Sequence, residues 1–333
     1  MSAVAPRLAA ALGRIRPEEG LAAAFAAVVA LLLAVRGLPL TLAGMLREYG
    51  TYLGLLTAFS LVPWAVARGL ARWRGAPPRP GAVRDLGTLA RSLPAVLVVL
   101  VAYTNLKSRL FVLHPTLYDA ELARLDAIVH FGGGDFLGWI LSTTADPRFM
   151  HGLALVYFYA WLGLALPFSA AFLRGGGDAA RRVLAALALL YAVGGLAYLA
   201  LPALGPAFFE RERFAHLAGG LAWNVQESMR AALMAIAADP ARPAVPFFGI
   251  AAFPSLHLGT TALGLFAAWR WSRPLFWLLV PFNLAIAWSA LAWGWHYAVD
   301  FYPGVLLAWG AWWASGRLLR RELRGGGPAA VAP

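Results

Sequence analysis

The sequence predicts an all-α, polytopic membrane helix bundle of about eight transmembrane helices. Hydrophobic residues make up 61% of its 333 residues and charged residues only 13%. A soluble domain carries about 25% charged residues, so this chain cannot coat a globular surface with polar groups. Its mean hydropathy is +0.67. Apolar runs near the ~20 residues needed to cross a bilayer recur along it, separated by connectors rich in Arg, Gly and Pro.

Taken in order, the first apolar run covers residues 20–38, after a segment with Arg7, Arg14 and Arg16. It has the length of a signal-peptide core, but no small-residue cleavage site follows, so it is read as a retained span. The second span is 51–67, followed by a Pro-rich connector with Arg68, Arg72, Arg74, Arg79 and Arg84. The third is 87–106. In residues 107–148, Leu117, Leu122, Leu125, Ile128 and Val129 recur near helical period, with Asp119, Glu121, Arg124 and Asp126 between them. That pattern predicts a non-spanning, interfacial amphipathic helix with its acids solvated. Spans four and five are 149–173 and 183–201, joined by a glycine-rich turn. A long loop with an amphipathic segment near 225–237 leads to span six at 255–271, span seven at 275–293 and span eight from His296 to Ser315, which Pro303 is expected to kink. The tail at 325–333 is expected to be disordered.

With the N-terminus in the cytoplasm, most of the 28 Lys and Arg residues fall on the cytoplasmic side, including Arg174, Arg181, Arg182, Arg270, Arg273, Arg317, Arg320, Arg321 and Arg324. The positive-inside rule expects this, so the net charge of +12 is a topology signal and no nucleic-acid partner is expected. The absence of Cys excludes disulfides, thiol catalysis and thiolate metal sites. The expected location is the cell inner membrane or plasma membrane. The same topology brings the end of span three, the start of span six and the junction of spans seven and eight to the non-cytoplasmic face.

Those three places hold the chemistry. Phe253-Pro254-Ser255-Leu256-His257 opens span six, where a helix N-terminus offers free N–H groups to a phosphate; Ser255 also suits a helix cap. Ser289 through Trp293-Gly294-Trp295-His296 to Asp300 joins spans seven and eight. On a helix, the four-residue step from His296 to Asp300 puts both side chains on one face. A carboxylate there would fix the imidazole tautomer and stabilise its charged form. Trp293 and Trp295 read as interfacial belt residues. Lys107, then six residues, then His114-Pro115 makes a third stretch. A snorkelling flank is the plain reading of Lys107. No His pair has close metal-ligand spacing, so no metal and no other cofactor is expected.

The order of these stretches resembles the type 2 phosphatidic acid phosphatase superfamily, over spans three to eight. Its first motif is Lys, six residues, Arg-Pro; Lys107 and Pro115 match and His114 replaces the Arg. In the second, Pro-Ser-Gly-His, Leu256 replaces the Gly between Ser255 and His257. In the third, Ser-Arg, five residues, His, three residues, Asp, Ala290 replaces the Arg beside Ser289. The wording Phe-Pro-Ser-Leu-His and Gly-Trp-His-Tyr-x-x-Asp is similar to the inositol phosphorylceramide synthase branch. The resemblance implies a six-helix phosphatase-like core at 87–316, preceded at 1–86 by a cytoplasmic segment and two additional spans, and followed by a basic cytoplasmic tail at 317–333. It implies that His296 attacks phosphorus, Asp300 orients it, and His257 protonates the leaving alcohol and then activates the acceptor. Lys107, His114, Ser255 and Ser289 would hold phosphate oxygens. Asp119 and Asp126 are candidates for binding a polyol headgroup. The partners implied are the bilayer, a phosphorylated lipid and a lipid alcohol acceptor. Water as acceptor would make the chain a lipid phosphatase, and a non-enzymatic carrier on the same helices is the competing class.

Overall fold

The computed structural model describes residues 15–75, 77, 81–143, 146–245 and 249–325; Arg7, Arg14, Arg79 and the tail from 326 lie outside them. Among the described residues there are helices and turns but no strand. The principal helices are α1 (Pro17–Val35), α2 (Ala43–Trp73), α3 (Ala82–Ser108), α4 (Asp119–Phe131), α5 (Phe136–Ser142), α6 (Pro147–Phe158), α7 (Leu162–Tyr198), α8 (Leu221–Ala238), α9 (Leu256–Trp271), α10 (Arg273–Ala292) and α11 (Phe301–Gly325). Among the described residues, five segments are long and apolar enough to cross a membrane: Pro17–Val35, Ala43–Trp73, Ala82–Ser108, Arg148–Tyr198 and Arg273–Ala292. Large apolar side chains point outward from the bundle, with Leu55 62%, Trp277 64% and Leu284 67% exposed. Surface of that kind is stable only against hydrocarbon, so the chain is a multi-pass membrane protein.

The bundle is built around α7, which packs against α3, α9, α11 and α2. Its glycine-rich stretch is one sharp break rather than an open turn: Gly176 has φ 72° and ψ −160°. The Asp85 carboxylate accepts from the Gly177 N–H at 2.9 Å, satisfying a donor that the break frees from the helix ladder. Beyond it, Arg181 is buried against Glu18 of α1, with Nη2–Oε2 at 2.9 Å. Breaking such a pair leaves a buried charge, at a cost of about 3–5 kcal/mol, so this contact ties α1 to α7 firmly. α3 begins at Ala82, shortly before the core boundary expected at residue 87. α1 and α2 share one continuous apolar core with α3 and α7.

α4 forms where the amphipathic pattern predicts it, but it faces the other way. Leu125, Ile128 and Val129 point outward, whereas Asp119 and Asp126 are buried. Two of its acids, Asp119 and Asp126, therefore face inward, while Glu121 stays exposed and Leu122 is buried. Pro303 sits in the first turn of α11, which begins at Phe301. Its missing N–H costs nothing there, so it does not kink the helix.

Candidate active site

α9 begins at one end of the bundle with Ser255 as its N-cap, and the Ser255 hydroxyl accepts from the Leu258 N–H at 3.4 Å. Capping is thus what this serine does here. The next residue but one, His257, is open to an internal cavity that Lys107 also lines. Its Nδ1 lies 3.0 Å from the Tyr157 hydroxyl of α6. Tyr157 in turn stacks on Trp295 at 5.6 Å between ring centroids, nearly parallel at 4°.

His296 is delivered by a turn. α10 ends at Ala292, Gly294 adopts a left-handed φ of 65°, a conformation only glycine adopts at little cost, and the chain then enters the site. Residues 294–297 are not helical, and a single 3-10 turn, Ala298–Asp300, precedes α11. The His296–Asp300 pairing therefore arises from this turn and not from an α-helix. Asp300 Oδ2 accepts from the Tyr297 N–H at 2.8 Å and lies 3.4 Å from His296 Nδ1. The shorter contact of Nδ1 is with the Ala252 carbonyl, at 2.8 Å. A carbonyl can only accept, so Nδ1 carries the proton and Nε2 is the unprotonated nitrogen of the neutral ring. Nε2 has no hydrogen-bond partner among the described residues.

The two imidazoles meet with ring centroids 6.0 Å apart. Close packing of α9 on α11 makes this possible. A Cβ on Gly304 would fall 2.2 Å from the Ser255 carbonyl oxygen, so any larger residue would push the two helices, and their histidines, apart. The Asp300 carbonyl also accepts from the Ser255 N–H at 3.0 Å, joining the start of α9 to the turn. Lys107, near the end of α3, lines the same cavity as His257. No carboxylate pairs with it among the described residues; its ammonium sits 5.9 Å and 5.7 Å from the ring centres of Tyr103 and Tyr198. A cation without a carboxylate partner, lining the same cavity as His257, makes a place for an anion.

Other expected site residues lie elsewhere or are otherwise engaged. Ser289 is buried, and its hydroxyl donates to the Leu153 carbonyl at 2.6 Å, clamping α10 to α6. Ser289→Ala is expected to cost about 1 kcal/mol of stability with little change in turnover. A thermal melt and kcat/KM on one preparation check this; a tenfold or greater fall in kcat/KM with an unchanged melt would return Ser289 to phosphate binding. His114 lies past the end of α3, stacks on Tyr118 at 6.1 Å and does not line the cavity. Trp293 and Trp295 are buried rather than interfacial; Trp293 Nε1 donates to the Met150 carbonyl at 3.2 Å.

Asp119 and Asp126 are corrected most sharply. The Asp119 carboxylate accepts from the Leu204 and Gly205 N–H groups, at 2.9 Å and 2.8 Å, and from the Tyr297 hydroxyl at 3.1 Å. Asp126 accepts from the Ala298 and Val299 N–H groups at 3.2 Å and 2.8 Å. Burial raises the pKa of both carboxyls, and the backbone donors oppose the rise. With their oxygens taken by the chain, these residues hold the His296 turn from behind instead of meeting a headgroup. Tyr157 and the Ala252 carbonyl are site groups that sequence reasoning missed. Neither had a signal: one is a tyrosine within an apolar run, the other a backbone atom.

A model of the PAP2 superfamily matches residues 120–314. No curated protein and no solved structure matches the chain. The matched stretch includes Asp126, Ser255, His257, Ser289, His296 and Asp300, and begins after Lys107, His114 and Asp119.

Proposed function

The chain belongs to the PAP2 superfamily, and from that premise we propose that it is a metal-independent membrane phosphotransferase acting on a phosphorylated lipid through a phosphohistidine. The observation that carries the reading is the state of His296: Nδ1–H held by the Ala252 carbonyl beside Asp300, and Nε2 left without a partner 6.0 Å, ring to ring, from His257. In the first half-reaction Nε2 attacks phosphorus, the N–P bond forms and the P–O bond to the lipid leaving group breaks. His257, with the Tyr157 hydroxyl donating to its Nδ1, gives its Nε2 proton to the departing oxygen. In the second, His257 takes the proton of an acceptor hydroxyl, whose oxygen bonds to phosphorus as the N–P bond breaks. Asp300 offsets the positive charge that His296 gains, and Lys107 faces the phosphate oxygens, where transition-state charge spreads.

The proposed acceptor is an alcohol rather than water, in an inositol phosphorylceramide synthase-like branch. Leu256 and Ala290 are the motif variants of that branch; Ala290, in place of an arginine, leaves the site one cation fewer, and a drier pocket favours a bound alcohol over water. The test is the product ratio from purified protein given several lipid phosphates, with and without a panel of lipid alcohols and polyols. A transferred lipid rising with acceptor is expected. Free phosphate or headgroup phosphate formed equally fast without acceptor, and no transferred lipid, would make the chain a lipid phosphatase.

Eight spans are proposed: α1, α2, α3, α6 with the first half of α7, the second half of α7, α9, α10 and α11. A core from residue 87 to 316 would then carry two preceding spans and a basic tail. The active site is proposed on the non-cytoplasmic face. Lys107 and His257 lie at the opposite ends of α3 and α9 from Arg84, Arg91 and Arg270, and arginine-rich ends stay in the cytoplasm. A reporter inserted between Gly205 and Asp239 is expected to read out as non-cytoplasmic; a cytoplasmic readout would invert the topology.

A further inference from the structure

A charged feature of a different kind lies at the far end of α9 from His257, about 20–24 Å away along the helix. There the α9–α10 corner and the first half of α7 border an open depression of about 390 Å³, lined by Arg174, Arg270 and Arg273 with Trp269, Trp271 and Ser272. That volume is within the ~300–1,000 Å³ common for ligand pockets. α7 runs tightly against the corner: a Cβ on Gly175 would fall 2.9 Å from the Trp271 indole nitrogen.

No carboxylate pairs with the three arginines among the described residues. Arg174 donates to the Trp271 carbonyl, and the Arg273 guanidinium lies 3.2 Å from the centre of the Trp269 ring. A carbonyl and a ring face attract a cation but are themselves neutral, so neither contact cancels a charge. Four carboxylates at this end are used elsewhere: Glu18 holds Arg181, Glu19 holds Arg91, Asp178 holds Arg84, and Asp85 accepts from the Gly177 N–H. Arg273 also opens α10, where the helix dipole disfavours a cation. Three like charges thus share one depression, and an anion is what would balance them.

The height of the depression indicates which anion. Trp277 and Leu278 of α10 are 64% and 66% exposed on the lipid-facing surface, only about 6–8 Å beyond Arg273 along the helix. Hydrocarbon therefore begins roughly one turn from the arginines, which stand at headgroup level, where tryptophan is also favoured. We propose that this depression is a second site, separate from the histidine cavity, that binds the headgroup of an anionic phospholipid, with two phosphates preferred to one. Three guanidiniums exceed the single charge of one phosphodiester, and basic pockets between membrane helices hold multiply charged headgroups in this way. The proposal stands independently of the phosphotransferase reading.

The test uses the full chain in detergent micelles titrated with cardiolipin, phosphatidylglycerol or phosphatidylcholine, with bound lipids counted by native mass spectrometry. One cardiolipin per chain is expected, held more tightly than phosphatidylglycerol, with phosphatidylcholine weakest. Arg270→Gln combined with Arg273→Gln should weaken cardiolipin binding about thirtyfold. Arg72→Gln combined with Arg74→Gln, an equal charge change at exposed positions of the same end, should leave it unchanged. His257→Ala should also leave it unchanged, because the two sites lie at opposite ends of α9. Equal weakening by both double variants would mean that bulk charge attracts the lipid, and would overturn the proposal. Phosphatidylcholine bound as tightly as cardiolipin would overturn it too, as would displacement of cardiolipin by inorganic phosphate, the mark of a site for a soluble anion. If the Arg270/Arg273 variant does not fold, Arg174→Gln alone decides: about fivefold weaker binding is expected, and unchanged binding would overturn the proposal.

Discussion

His296→Ala is expected to abolish turnover, by at least about 10⁴-fold, and to abolish any acid-labile phosphoenzyme. The magnitude follows from the role: the substitution removes the atom that bonds to phosphorus. Asp300→Asn provides the graded comparison. Its carboxylate lies 3.4 Å from Nδ1, whereas the Ala252 carbonyl is at 2.8 Å. The tautomer should therefore survive the change, and the loss should reflect mainly the missing negative charge beside a ring that becomes cationic. A fall of about 10²-fold or more in kcat, with a smaller change in KM, is expected. Rapid-quench trapping with a ³²P-labelled lipid phosphate reads both variants. Full turnover by His296→Ala would end the phosphohistidine mechanism. An Asp300→Asn protein as dead as His296→Ala would mean that the carboxylate, and not the carbonyl, sets the tautomer.

The membrane class and the helix order were legible because hydrocarbon solvent demands long apolar helices and leaves their traces in composition. Of the candidate residues read as types in order, His257, His296 and Asp300 lie near one another in the structure. The way they come together was not legible. The i, i+4 spacing suggested a helix between His296 and Asp300, and a turn with a 3-10 segment does the same work. Periodicity also located α4 but could not tell which face is inner, because a membrane protein turns apolar side chains outward to lipid. Hence Leu125 and Ile128 face out, and Asp119 and Asp126 face the protein. Backbone partners such as the Ala252 carbonyl leave no mark in a sequence at all.

Asp119→Ala is the substitution expected to do the most structural damage near the site. It removes the acceptor of three donors at once: the Leu204 and Gly205 N–H groups and the Tyr297 hydroxyl. Each buried donor left without a partner costs about 1–3 kcal/mol. Together they approach the ~5–15 kcal/mol that keeps a typical domain folded. Tyr297 follows His296 directly, so whatever protein does fold should also lose the registry between His296 and His257. Asp119→Asn keeps one carbonyl acceptor but turns an NH₂ toward the donors, and should fall between alanine and wild type. Glu121→Ala, an exposed change on the same helix, should match wild type and controls for helix propensity. The measurements are the melt in detergent and kcat/KM of the folded fraction, both with and without a polyol acceptor. If Asp119→Ala melts like wild type and loses only affinity for the acceptor, Asp119 binds a headgroup after all. A melt lowered steeply whether or not acceptor is present is the result that the three buried hydrogen bonds require.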